Sequence, residues 1–129
     1  MKILHTSDWH LGKTLNNITR YEEQQEFIDE IAEIAKEENV DIILISGDIY
    51  DTSNPSAMAE NMFFNSAVRL AQNGTVPVMV IAGNHDSPDR LLAGADILKV
   101  RVWLAKYLLI PVTVTDPVPV FVLSAQERT

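Results

Sequence analysis

The chain has 129 residues, the size of one ordinary domain, and 47 % of it is apolar, which is enough for a sizeable core and excludes intrinsic disorder. It contains no cysteine, so disulfide scaffolds, thiolate zinc sites and cysteine nucleophiles are excluded. Eighteen acidic against ten basic side chains give a net charge of −8, which argues against holding nucleic acid by charge alone.

The opening, MKILHTSDWH, turns polar too soon for a secretory signal, and no apolar run approaches the ~20 residues of a membrane span. A soluble, cytoplasmic, single-domain chain is therefore expected. Residues 2–6 read as a first strand. Thr19-Arg20-Tyr21-Glu22 reads as a capping box that opens a helix running to about Asn39. Phe27, Ile28, Ile31, Ile34 and Ala35 would form its apolar face. Glu23, Glu26, Glu30, Glu33 and Glu37 would form a solvated acidic one.

Residues 41–46 (DIILIS) are a continuous apolar run, as in a strand buried on both faces. Asn54-Pro55 predicts the start of a second helix and Asn73-Gly74 its close. A third strand over residues 77–82 (PVMVIA) follows, then a third helix from Ser87-Pro88 to about Lys99. Alternation of this kind predicts βαβ units, in which right-handed crossovers set the three strands parallel and side by side. Their carboxyl ends then share one edge, where α/β sheets place their sites. Beyond residue 100 the composition changes. Lys106 and Asp116 are the only charges between Val102 and Leu123, and three of the six prolines fall there. Alternation at residues 112–115 and an apolar run at 118–123 suggest a hairpin turning at Asp116-Pro117.

A cluster of metal-type ligands follows each of the three strands: Asp8-Trp9-His10, then Gly47-Asp48-Ile49-Tyr50-Asp51, then Gly83-Asn84-His85-Asp86. Any one of them reads as a turn, because Asp and Asn are common turn formers. Only a metal site accounts for all three as a set. Oxygen and imidazole donors without sulfur suit Mn²⁺, Fe or Zn²⁺. A carboxylate on the central strand can bridge two ions about 3.5–4 Å apart, the spacing of two-metal phosphoesterases. The glycines before Asp48 and Asn84 would let the backbone turn sharply.

The motifs D-x-H, G-D-x-x-D and G-N-H-D, in this order, resemble those of the calcineurin-like metallophosphoesterases. KILHTSDWHLGKTL, SGDIYDTSNPS and IAGNHDSPDRL are similar to the SbcD-type nuclease subunits within that superfamily. The likeness read from these residues covers positions 1 to about 99. It implies an α/β, metallophosphoesterase-like layered fold, of which this chain holds roughly the first half. Residues 1–100 would be the N-terminal half of a nuclease domain. Residues 101–129 would be an apolar, β-prone tail.

By the same resemblance the site would hold two divalent ions, Mn²⁺ foremost. Asp8 and His10 would hold the first, Asp48 would bridge both, and Asn84 would ligate the second. His85 would stand beside the scissile phosphate, with Asp86 orienting it. Hydroxide generated on the metals would attack phosphorus in line, with no covalent enzyme intermediate. Asp51 reads as a hydrogen-bonding loop residue. The family supplies further histidines downstream, whereas this chain has three in all, His5, His10 and His85. The loss of charge, motif and resemblance at one point reads as a truncated or frame-shifted end. Translating the flanking gene in every frame is the check on that.

The resemblance implies a DNA exonuclease and endonuclease that processes double-strand breaks and hairpins with an SbcC-type coiled-coil ATPase. It also implies a homodimer formed through the helices that carry Met62, Phe63, Phe64 and Val68, and Leu91, Leu92 and Leu98. Two other readings stand beside it: a metallophosphoesterase acting on small phosphodiesters or nucleotides, and a non-catalytic fragment that dimerises or binds a partner. Gly12-Lys13-Thr14 imitates the end of a P-loop, but the first glycine of that motif would fall at Ser7. His5 reads as a packed, hydrogen-bonded residue of the first strand. Trp9 reads as a stacking platform for a base or as a lid over the sheet edge.

Overall fold

The computed structural model describes residues 1–95, 102–105 and 122–124. The hairpin about Asp116-Pro117, the end of the third helix and Leu98 lie outside them. In chain order the elements are β1 (Ile3–Thr6), a short ribbon of β2 (Thr14–Leu15) and β3 (Ile18–Thr19), α1 (Tyr21–Glu37) and β4 (Ile42–Ser46). They continue with α2 (Ala57–Leu70), a 3₁₀ turn (Gln72–Gly74), β5 (Val78–Ala82), α3 (Pro88–Ala95), β6 (Val102–Ala105) and β7 (Val122–Ser124). β1, β4 and β5 lie side by side and parallel, with Leu4 opposite Ile43 and Ile43 opposite Val78. On the far side of β5, β6 pairs parallel with its first half and β7 with its second.

One sheet face, bearing Ile43, Ile45, Val78, Val80 and Ala82, forms a single core with Ile28, Ile31 and Ala35 of α1 and Phe63, Ala67 and Leu70 of α2. The alternate positions Leu44, Met79 and Ile81 are half-exposed. β4 is therefore fully buried on one face rather than two. An apolar side chain at every position says that a strand can be covered twice, and the described helices pack on one side.

Three further expectations are corrected. Thr19 does not cap α1. It is paired with Thr14 in the ribbon, and Arg20 takes the cap position without a side-chain bond to the helix's free backbone N–H groups, its guanidinium instead meeting the Glu23 side chain at 2.6 Å. The buried stripe of α1 is Ile28, Ile31, Ala32 and Ala35, whereas Phe27 and Ile34 are more than 40 % exposed. The cap of α2 is Ser56, whose Oγ accepts from the Ala59 N–H at 3.1 Å, so Asn54-Pro55 lies just outside the helix. None of the described helices is long and apolar enough to cross a membrane.

α1 ends in a Schellman motif. The Asn39 N–H bonds to the carbonyl of Lys36 at 3.2 Å and the Val40 N–H to that of Ala35 at 3.1 Å, with Asn39 left-handed at φ 49°. A Cβ without a local polar partner is penalised there. Asn39→Ala is expected to lose about 1 kcal/mol and Asn39→Gly to lose nothing. Urea unfolding of the two variants checks this, and an alanine variant as stable as the glycine one would contradict it.

Candidate metal centre

The pairing of β1 with β4 continues past the strand ends into the loops. The Asp8 N–H donates to the carbonyl of Gly47 (3.1 Å), that of His10 to Asp48 (2.9 Å), that of Leu11 to Ile49 (2.9 Å) and that of Asp51 to Leu11 (3.1 Å). These bonds hold an unusual backbone. Asp8, His10 and Asp48 all have positive φ, at 56°, 46° and 47°. The other described non-glycine residues with positive φ are four asparagines and Gln72. Left-handed backbone costs an L-residue roughly 1–2 kcal/mol, least for Asp and Asn. Three such residues, two of them aspartates, stand together at one edge of the sheet.

They bring together a set of donor atoms that could hold a metal ion. One donor atom from each of Asp8, His10 and Asp48 lies within 4.8 Å of the other two. His10 Nε2 stands 3.9 Å from Asp8 Oδ1 and 3.9 Å from Asp48 Oδ2. That is too long for a hydrogen bond and within the span of about 4.2 Å that two donors each about 2.1 Å from one ion can reach. The other ring nitrogen, Nδ1, is buried without a hydrogen bond and has Asp51 Oδ1 3.4 Å away. A carboxylate behind a ligating imidazole fixes the ring and raises its basicity. Two carboxylates and an imidazole, without sulfur, form a donor set suited to a hard or borderline divalent cation. The residues present fit such an ion.

The third loop closes on the second. Gly83 lies so near Asp48 that a Cβ there would fall on its backbone nitrogen and 2.5 Å from its Oδ1. Gly47 needs its freedom for a positive φ of 83°, whereas Gly83 has no positive φ and is small because of this close approach, not because of a sharp turn. The backbone N–H of His85 donates to Asp48 Oδ1 at 3.1 Å, leaving Oδ2 for the His10 side. The His85 ring stands edge-on to that of His10, with centroids 5.7 Å apart. His85 and Asn84 are both exposed on the turn after β5.

Asp86 does something other than orient His85. Its Oδ2 accepts from the N–H groups of Ile49 (3.0 Å) and Gly83 (2.8 Å), and its Oδ1 from that of Tyr50 (2.8 Å). The buried carboxylate thus clamps the second loop to the third. Burial pushes its pKa up, the three N–H groups pull it down, and the charge of Asp48 pushes it up again. Tyr50 is buried beside it with an unpartnered hydroxyl, and burial, helped by Glu60 and Asp86, raises the phenol far beyond its ordinary value.

The structure therefore brings Asp8, His10 and Asp48 together with His85 beside them, and puts Asp86 beneath the site. Trp9 packs between Phe27 and Phe63, 5 % exposed, with its indole N–H on Thr6 Oγ1. It is core and not a platform for a base. His5 is hydrogen-bonded to Ser46 Oγ at 2.5 Å, but exposed and not packed. Asp51, read from the sequence as a hydrogen-bonding loop residue, has its carboxylate behind His10, a partner the sequence did not name. Nor does the sequence single out Gln24, whose amide bonds to the backbone of His10 and Gly12 but which looks in sequence like any polar residue of a solvated helix.

Residues 1–124 match the family described as calcineurin-like phosphoesterase. The match runs past residue 99, where the likeness read from the motifs ends, because the later strands carry no metal-type residues to mark them. The chain is 45 % identical over 128 residues, 98 % of its length, to the SbcD subunit of the nuclease SbcCD of Bacillus subtilis (strain 168). It spans 32 % of that relative's length. With three loops gathered at one edge of a parallel sheet, two of them offering a possible metal-holding group, and the family match over nearly all of its length, the chain belongs to the calcineurin-like phosphoesterases, a family of hydrolases that use divalent metals.

Proposed function

We propose that this chain is the metal-holding N-terminal part of a Mn²⁺-dependent DNA phosphodiesterase of the SbcD type. It would act as exonuclease and endonuclease with an SbcC-type coiled-coil ATPase, processing double-strand breaks and hairpins in the cytoplasm. A homodimer through α2 and α3 completes the proposal. The observation that carries it is the convergence of Asp8, His10 and Asp48, in a chain 45 % identical to a nuclease subunit. The net charge of −8 is compatible with this, since bound cations and a partner supply the positive field that a polyanion needs.

When bound, divalent cations activate water and draw charge from the phosphoryl oxygens. The residues divide the remaining work. Asp8 and His10 would grip the first ion, Asp48 would be shared, and Asn84 would offer an amide oxygen to the second. His85, exposed beside this set, would donate a proton to the leaving oxygen or a hydrogen bond to the phosphate. Asp51 would hold the His10 ring in its tautomer, and Asp86 would hold the loops that carry Asp48 and His85. Within these residues, Asp48 and Asn84 are the donors offered to the second position.

Mn²⁺ titration followed by electron paramagnetic resonance is the first test, with Asp48→Ala as control. The wild type is expected to take up Mn²⁺ and the variant to bind it at least about 100-fold more weakly. The same samples are then given labelled duplex DNA, hairpin DNA and a cyclic nucleotide. Hydrolysis of DNA that disappears with Asp48→Ala supports the nuclease. Hydrolysis of the cyclic nucleotide alone would point to small phosphodiesters, and an intact dimer that takes up no Mn²⁺ would leave only a binding fragment.

A further inference from the structure

Two hydrogen bonds join α1 to the first ligand loop, and both belong to one side chain. Gln24 Nε2 donates to the carbonyl of His10 at 2.9 Å, and Gln24 Oε1 accepts from the N–H of Gly12 at 3.2 Å. The amide therefore bridges the backbone on both sides of Leu11, whose side chain is 2 % exposed in the core. The carbonyl of His10 also accepts from the Lys13 N–H at 3.0 Å, so the segment is drawn into a closed turn. Gly12 within that turn has φ 88° and His10 has φ 46°.

We propose that Gln24 is a positioning residue of the metal centre. By gripping the carbonyl of His10 and the N–H of Gly12, it holds His10 in the left-handed backbone conformation that turns its imidazole toward Asp8 and Asp48. This rests on the reading of those three residues as metal ligands. The backbone of His10 is tied on two sides: its N–H goes to the carbonyl of Asp48 at 2.9 Å, and its carbonyl to Gln24. Removing the second tie leaves the left-handed turn held by the second loop and by the Lys13 N–H within the turn itself, with no bond to α1, and the penalty on φ then favours relaxation toward ordinary backbone. The imidazole would swing away from the carboxylates. Neighbouring Gln25 makes no such contact, since its amide donates to Asp29 one turn along the helix.

The test compares Gln24→Met, which keeps length and loses both bonds, with Gln24→Asn, which keeps the amide but falls one methylene short. Gln25→Met is the control. Mn²⁺ affinity is measured by electron paramagnetic resonance, amide exchange at Gly12 and Lys13 by NMR without metal, and folding by thermal melts. Expected are about tenfold weaker Mn²⁺ binding in both Gln24 variants, the low end for residues that orient a ligand, and faster exchange at Gly12. Melting would stay near that of the Gln25→Met control. Wild-type Mn²⁺ affinity in a folded Gln24→Met protein would overturn the role of Gln24 and leave the metal centre standing. Wild-type protein that binds Mn²⁺ no better than Asp48→Ala would overturn the metal centre itself, and the proposal with it.

Discussion

Gly83→Ala is expected to lower the melting temperature by about 10 °C or more and to abolish tight Mn²⁺ binding. The new methyl group would land on the backbone nitrogen of Asp48 and 2.5 Å from its carboxylate. Neither neighbour is the far end of a flexible chain. Asp48 sits in left-handed backbone, bonded through its carbonyl to His10. To make room, the third loop must lift away from the second, which breaks the bond from the His85 N–H to Asp48 and those of Asp86 to Ile49 and Tyr50. Overpacking against backbone costs about 3 kcal/mol, and each kcal/mol moves the melting point of a domain this size by about 4 °C. Circular dichroism melts and a Mn²⁺ titration measure the two effects. A variant that melts within roughly 2–3 °C of wild type with unchanged affinity would show that the loops have slack.

Asp86→Ala should cost about 4 kcal/mol, and Asp86→Asn about half of that. Three backbone N–H groups end on this one carboxylate, which lies 7 % exposed. Charge-assisted bonds are worth about 1.5–3 kcal/mol each, and the cost of burying the charge offsets part of their sum. Alanine leaves all three donors without a partner. Asparagine keeps the shape, and its single oxygen can serve Ile49 and Gly83, but its amide then faces the N–H of Tyr50. Urea unfolding gives both values. Equal costs for the two variants would mean that the bonds asparagine keeps to Ile49 and Gly83 contribute nothing, an asparagine variant as stable as wild type would mean that the second oxygen contributes nothing, and a stabilised alanine variant would sink the clamp.

Much of the fold is legible in the chain. Three apolar runs, each followed by a Gly, Asp, Asn or His cluster, point to three parallel strands and one crowded edge, because the crossovers leave little topological choice. The ligand trio follows from that. The ribbon is a different case. Leu15 and Ile18 flank Asn16-Asn17, the residue type that tolerates the two positive φ values of a tight hairpin turn, so it too is legible in principle. The capping-box pattern at Thr19 competes with that signal, and strand pairing wins. The stripe of α1 lies about one position away from the one its apolar pattern suggests, because Phe27 has a neighbour in Trp9 and is yet not enclosed. The roles of Asp86 and Gln24 have no sequence signature. Both act on backbone atoms, and a backbone partner leaves no trace in the identity of the residue it touches.

The strands of the edge succeed one another in the same order along the chain and across the sheet, β1, β4, then β5. Asp8, His10 and Asp48 are therefore all synthesised before residue 49, and Gln24 with them, whereas Asp86 comes 38 positions after Asp48. A growing chain would carry these three donors while Asp86, whose carboxylate ties the loop of Asp48 to the third loop, is still unmade. Any fixing of the second loop against the third would thus come later in synthesis than the donors themselves.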